Sequence, residues 1–248
     1  MKVIQRNREL LESIQKLKSE HPFWGYRRIW AYLYYAEHRP VNKKRVHRLM
    51  KEHGLLVGKN TRNKATRSSK TRKPKPTRPN QWWGIDMTKV MTLTGWVYLT
   101  VVLDWYTKKI VGWHIGNQSK ACHWLEALYT GVNQQFPFGV QGQGLQLMSD
   151  NGCQPTAISF MAGCDHMGVQ QAFTAYNNPK GNADTERFFR TIKEECLWLQ
   201  EWTGLNHIKT EVEQWINNYN TRYLHSTLGY KPPAQFEQNY YATLLKSA

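Results

Sequence analysis

The chain has 248 residues, with 34 Lys and Arg against 18 Asp and Glu and a formal net charge of +16, an excess that points to an extended polyanion as partner. Its 40% hydrophobic content, with 11 Trp, 13 Tyr and 8 Phe, can build a core for one or two domains and excludes disorder along the whole length. No window approaches about 18 uncharged apolar residues and the first residues lack the apolar stretch of a secretory signal, so a soluble cytoplasmic protein without a membrane span is expected.

Residues 1–20 carry Ile4, Leu10, Leu11, Ile14 and Leu17 among polar neighbours, a helical stripe that needs another surface to pack on. Between His21 and Gly54 two short helices are expected. One holds Tyr26, Ile29, Trp30 and Leu33; the next begins near Asn42 and holds Val46, Leu49 and Met50, with Pro40 between them. The second carries Lys43, Lys44, Arg45, Arg48 and Lys51 on its other faces, which suits a helix-turn-helix laying its last helix in a major groove; an ordinary solvated face is the alternative. Residues 58–78 hold nine basic side chains, Lys70, Arg72, Lys73 and Lys75 among them, and no acid. Such a run cannot bury enough apolar surface to fold alone, and is expected to lie along phosphates when DNA is present.

From Gln81 the pattern turns to strands: Trp82 to Val90, Gly95 to Asp104, and Lys109 to Ile115, with short turns at Thr94-Gly95 and Tyr106 to Lys108. Three strands so connected make an antiparallel meander. A helix (Lys120 to Asn133), a strand ending at Asp150, a helix (Thr156 to Met167), a short strand (Val169 to Phe173) and a long helix from about Gly181 follow. A further helix carries Ile208, Val212, Trp215, Ile216 and Tyr219, and a loop with Arg222, His225 and Gly229 closes the pattern. Cys122, Cys153, Cys164 and Cys196 contain no CxxC pair; four reduced thiols are expected and a structural zinc is not.

Three acids stand out against this layout. Asp86 sits in the middle of the strand Trp82 to Val90, where a charge is seldom buried without a partner. Asp150 ends the apolar run Leu145, Leu147, Met148 and is followed by Asn151-Gly152, so its carboxylate lies at a strand's C-terminal edge. Glu186 falls on the first turns of the helix whose spacing is marked by Phe189, Ile192 and Cys196. Isolated carboxylates on three rigid elements point to a site for a hard metal ion. Asp104 precedes a turn and Asp165 ends a helix, and both are read as structural.

With thirty-five residues between Asp150 and Glu186, this trio resembles the Asp, Asp-35-Glu signature of bacterial insertion-sequence transposases and retroviral integrases. The resemblance covers most of the chain and is closest to the second-reading-frame transposases of the insertion sequence three family. Lys193 matches the basic residue seven positions after the Glu, and Tyr219, Asn220, Arg222, His225, Leu228 and Pro232 match the family's C-terminal pattern. The segment Pro179 to Thr185 is one variant of the stretch before the Glu, so Asn182 and Asp184 are given no role of their own. No cysteine precedes position 122, which leaves no place for the N-terminal zinc module of retroviral integrases in its usual form.

The resemblance implies an α/β, ribonuclease-H-like fold, a mixed five-stranded sheet flanked by helices, preceded by a small all-helical helix-turn-helix-like domain. The expected divisions are 1–57 helical, 58–79 basic linker, 80–200 catalytic core, and 201–248 C-terminal helix and tail. It further implies that Asp86, Asp150 and Glu186 bind two Mg2+ ions, with Mn2+ as a substitute, and that Lys193 touches DNA. The activity implied is cleavage and strand transfer at insertion-sequence ends in the bacterial cytoplasm, by a homo-oligomer acting on end and target DNA. A first-frame product carrying its own helix-turn-helix is expected to be fused upstream or associated. A catalytically idle end-binding regulator and a plain ribonuclease H are the alternatives; the three intact acids weigh against the first, and the basic N-terminal helices and linker against the second.

Overall fold

The computed structural model describes residues 2–58, 74–174 and 182–247, and divides the chain into two compact units. One comprises Met1–Thr66 with Leu224–Lys231; the other comprises Arg67–Tyr223 with Pro232–Ala248. Lys70, Arg72 and Lys73, expected along phosphates, lie outside the described residues, and Lys75 is exposed.

In the helical unit, α1 (Lys2–Glu20), α2 (Tyr26–Ala31, continued by a π turn over Tyr32–Ala36) and α3 (Lys43–Glu52) share one core. Leu10, Ile14 and Leu17 from α1 meet Ile29 and Leu33 from α2 and its extension, and Val46, Leu49 and Met50 from α3. Leu10, Ile14 and Leu17 of the stripe are thus buried within their own unit. Asn42 starts α3 as expected: its extended backbone and its side chain, accepting from the Lys44 N–H at 2.8 Å, satisfy an otherwise unpaired donor of the first turn.

The larger unit is built on a five-stranded sheet in the order β3-β2-β1-β4-β5. β1 (Trp82–Thr92), β2 (Gly95–Asp104) and β3 (Ile110–Gly116) form the antiparallel meander, while β4 (Gln146–Ser149) and β5 (Gln170–Phe173) run parallel to β1. This is the mixed sheet with flanking helices that the family resemblance implies. One face, with Trp83, Ile85, Val102 and Val111, is covered by α4 (Ala121–Gln135) and α5 (Ile158–Met167). The other, with Leu99, Val101 and Leu103, is covered by α6 (Ala183–Ile192) and α7 (Leu205–Arg222). Each fully buried Phe, Leu, Ile or Val here contributes about 1.5–3 kcal/mol relative to exposure.

The units part differently from the expected boundaries. α7, the helix expected beyond residue 200, packs on the core: Ile208, Val212, Ile216 and Tyr219 share a cluster with Phe188, Phe189 and Ile192. Asn220 explains part of that docking. Its side chain accepts from the Ile110 N–H and donates to the Ile110 C=O, both at 2.9 Å, and so serves the start of β3 as a strand would. The segment expected to be a tail forms α8 (Pro233–Ser247), with Phe236 and Tyr240 against Tyr106.

Candidate active site

Asp86 lies in mid-β1, paired across the ladder with Val101. β4 pairs with β1 only through Trp82 to Gly84, so Asp86 stands just where β1 loses its neighbour on that side. Asp150 follows the last residue of β4 and is exposed; its carboxylate accepts from the Gly152 N–H at 3.0 Å, which holds the turn after the strand. The neighbouring Asn151 ties this turn to the end of β5 through the Thr174 carbonyl at 2.7 Å. Glu186 is exposed on the first turn of α6, where the N-terminal end of a helix favours a negative side chain.

The three acids share one electrostatic field. Burial pushes the Asp86 carboxyl up to about 6, and the charges of Asp150 and Glu186 add to the rise; the Met87 N–H bond at 2.7 Å and the charge of Lys193 oppose it. Lys193, at the end of α6, is therefore in electrostatic reach of Asp86. Among the described residues, no three His, Cys, Asp or Glu side chains close into a ready-made metal-ligand group. What the trio has is an all-oxygen donor set with one lysine beside it, and that fits hard cations such as magnesium.

A close contact absent from the sequence reading sets where Glu186 sits. Gly84, two residues before Asp86, faces the start of α6 so closely that a Cβ there would meet Thr185 Oγ1 at 2.1 Å, Trp105 Nε1 at 2.4 Å and Asn182 Oδ1 at 2.7 Å. Trp105 Nε1 donates to Thr185 Oγ1 at 3.2 Å, and the buried Asn182 donates to the Ile85 carbonyl at 3.4 Å. The first turn of α6 is thus held against β1 one residue before Glu186. Asp184 forms an ion pair with Lys108 at 3.0 Å.

Asp104 is fully buried and structural. Its carboxylate accepts from the backbone N–H groups of Asn80 and Tyr106, each at 2.6 Å, and of Thr107 at 3.1 Å, closing the turn into β3. Burial nonetheless pushes its carboxyl up to about 6, with these N–H groups pulling it down. Asp165 is exposed in the last turn of α5. Cys164 and Cys196 are buried and their thiols pushed up to about 12 by burial, whereas Cys122 and Cys153 are exposed.

On α3 the expected DNA-facing cations divide. Lys44 and Arg48 are exposed, with Arg48 in a solvent-facing ion pair with Glu52 at 3.7 Å. Lys43 and Arg45 turn inward. Lys43 Nζ lies 4.1 Å from the centre of the Trp30 ring, and Arg45 Nε donates to Asn7 Oδ1 at 2.9 Å. The partners belong to α2 and α1, so a free phosphate-binding role for Lys43 and Arg45 is not what their packing favours.

Residues 76–179 and 167–233 match integrase core domain families, and residues 5–64 match an HTH-like domain family. The transposase for insertion sequence element IS629 of Shigella sonnei is 28% identical over 250 residues, 97% of this chain and 82% of that protein. A putative transposase for IS986/IS6110 of Mycobacterium tuberculosis is 28% identical over 252 residues, covering 96% of this chain and 90% of that one. An uncharacterized 31 kDa protein of insertion element IS600, also from Shigella sonnei, is 30% identical over 212 residues, covering 81% and 76%. Among solved structures, the simian T-cell lymphotropic virus intasome has a chain that superposes with a TM-score of 0.52 at 14% identity, covering 91% of this chain and 74% of that one. That last likeness is one of fold.

Proposed function

The chain belongs to the second-reading-frame transposases of the insertion sequence three family, and from that premise we propose that its polynucleotidyl transfer is carried by Asp86, Asp150 and Glu186. The observation that carries the assignment is placement: Asp86 lies on β1 just past its pairing with β4, Asp150 follows the end of β4, and Glu186 lies in the first turn of α6, which packs against β1 at Gly84. A donor set of three carboxylates would hold a pair of divalent ions. Bound there, the ions supply stabilisation of the attacking and leaving oxygens of a phosphodiester.

The remaining roles belong to side chains of the chain itself. Asp86, fixed in β1 by its pairing with β2, would be one of the residues holding the metal. Asp150, after the end of β4, and Glu186, in the first turn of α6, would supply the other carboxylates. Lys193 neutralises part of the local negative charge and is suited to hold a phosphate of the DNA end. Lys44 and Arg48 on α3, with the basic run after residue 58, are the cations suited to duplex phosphates. In the reaction a water frees a 3′ hydroxyl at the element's end, and that hydroxyl attacks a second phosphodiester. Work as a homo-oligomer on DNA, association with a first-frame product and a cytoplasmic site of action are part of the same reading. No helix among the described residues is long and apolar enough to cross a membrane.

A binding measurement tests the metal assignment apart from catalysis. Magnesium should raise the unfolding temperature of the wild-type protein, because a ion that binds only the folded state stabilises it by mass action, about 2.7 kcal/mol at a hundredfold excess over the dissociation constant. Asp86→Asn, Asp150→Asn and Glu186→Gln should each abolish most of that rise. Equal magnesium shifts in all four proteins would refute the assignment.

A further inference from the structure

A cleft of about 560 Å³ opens beside the part of β1 that extends past its pairing with β4, lined among others by Lys89, Leu93, Trp96, Lys193, Trp198 and Glu201. Its volume falls in the range of sites that enclose small ligands, about 300–1,000 Å³. None of these residues except Lys193 takes part in the site described above. Lys193 belongs to both. Lys89 follows Asp86 on the same strand β1, and Lys193 caps the end of α6, whose first turn holds Glu186, so the cleft is lined by continuations of two elements that carry the acids.

Its walls are held in place. The buried Trp202 donates from Nε1 to the Leu197 carbonyl at 3.0 Å, and its own carbonyl accepts from the Leu93 N–H at 2.9 Å, so the tip of the β1–β2 hairpin is stapled to the segment after α6. Against this fixed frame the aromatic side chains are unusually open. Trp198 is 65% exposed and Trp96 42% exposed, although a tryptophan normally buries most of its surface. Lys89 Nζ stands 4.4 Å from the centre of the Trp96 ring, a cation held over an aromatic plane. Two lysines face a single acid, Glu201, so the cleft favours an anion.

We propose that this cleft receives an unpaired nucleotide of the DNA strand engaged at Asp86, Asp150 and Glu186, with its base against the rings of Trp96 and Trp198 and its phosphates beside Lys89 and Lys193. The proposal rests on the transposase reading for the identity of the strand. Exposed aromatic planes combined with cations are what single-stranded nucleic acid requires, because every base has a face to stack while every linkage carries a negative charge. Paired bases inside a duplex present their edges, and their faces are covered. The occupant is accordingly a nucleotide freed from its partner at the end of a duplex, and the rings favour it without reading its sequence.

The test uses the whole protein and two DNA probes, a blunt duplex and the same duplex with a short unpaired tail carrying the fluorescent base 2-aminopurine. Wild-type protein should bind the tailed duplex more tightly and quench the tail's fluorescence. Trp198→Ala and Trp96→Ala should each weaken tailed-duplex binding by about 5- to 150-fold, the range for loss of one stacked base, restore the fluorescence and leave blunt-duplex binding unchanged. Trp198→Phe, which keeps a ring, should retain most of the preference, separating stacking from misfolding. Lys89→Gln should lower the slope of log affinity against log salt on the tailed probe by about 0.7. Blunt-duplex binding and magnesium-dependent nicking by the wild type report on the transposase reading itself. If both hold and the Trp variants treat the two probes as the wild type does, the cleft proposal alone falls; if neither holds, both readings fall. Should Trp198→Ala alter the sedimentation of the protein and not its preference for the tail, the cleft is a contact between copies of the chain, and the proposal is overturned.

Discussion

Adding one methyl group at Gly84 should disable the candidate site without touching any acid. In Gly84→Ala the new Cβ would meet Thr185 Oγ1 at 2.1 Å, Trp105 Nε1 at 2.4 Å and Asn182 Oδ1 at 2.7 Å, all well inside contact distance. Thr185 is fully buried, Trp105 nearly so and Asn182 buried, so none of them has solvent to swing into and the start of α6 has to lift. Overpacking of this kind costs about 1–3 kcal/mol, and loss of the Trp105–Thr185 hydrogen bond adds about 0.5–1.5 kcal/mol. The lower backbone entropy of alanine offsets about 0.5–1 kcal/mol. The net loss of about 0.5–4 kcal/mol corresponds to a fall in melting temperature of about 1–16 °C for a unit of this size. The effect on chemistry should be larger than stability alone predicts, because Glu186 follows Thr185 directly and a displacement of about 1 Å at a reacting centre can cost about a hundredfold in rate. The assay pairs thermal unfolding with cleavage of end-labelled DNA well below the melting temperature. Wild-type cleavage by a destabilised Gly84→Ala protein would show that the contact supports the fold without setting Glu186, and wild-type behaviour in both would refute the packing argument altogether.

Two other perturbations separate roles. Lys193→Ala should weaken end binding or strand transfer by about 1–3 kcal/mol, the range for hydrogen bonds to charged groups, and leave the melting temperature nearly unchanged; a loss of stability with transfer intact would make the lysine structural. Asp104 has its folded pKa raised by burial to about 6 from 3.8, so its contribution is fully present below about pH 4 and is lost as pH rises through about 6. Asp104→Asn removes that titration and turns an amide toward three N–H donors. The variant should be destabilised, and its deficit relative to wild type, followed by denaturant unfolding, should narrow between pH 4 and 6; a widening deficit would contradict the raised pKa.

The alternation of strands and helices was legible because apolar period and turn residues changed together: Asp150 could be placed at a strand end from Leu145, Leu147 and the following Asn151-Gly152 alone. Asp86 and Glu186 could be assigned to their elements in the same way, whereas their common field depends on tertiary approach. Gly84 was invisible for that reason. A glycine in a strand reads as a weakness or a bulge, and what makes it necessary, Thr185, lies about a hundred residues away. Lys43 and Arg45 were read as outward because a basic helix face looks solvated until its neighbours are known; here Trp30 and Asn7 claim them. Asn220 stood out as part of a family pattern, and its use, closing the backbone of Ile110, appears only once α7 is laid against β3. The helix α8, which opens on Pro233, was not separated from the tail, although a proline is well suited to the first helical position.

The central claim is that Asp86, Asp150 and Glu186 form one metal-dependent site for phosphodiester transfer, and near-isosteric replacement with a paired readout tests it most directly. Asp86→Asn, Asp150→Asn and Glu186→Gln each remove one negative charge, so each should abolish magnesium-dependent nicking and strand transfer, with weak rescue by manganese, while gel-shift binding to end DNA persists. Asp165→Asn, altering an exposed acid on α5, serves as the control and should cleave as the wild type does. Wild-type activity in any one of the three variants removes that residue from the site, and wild-type activity in all three contradicts the account.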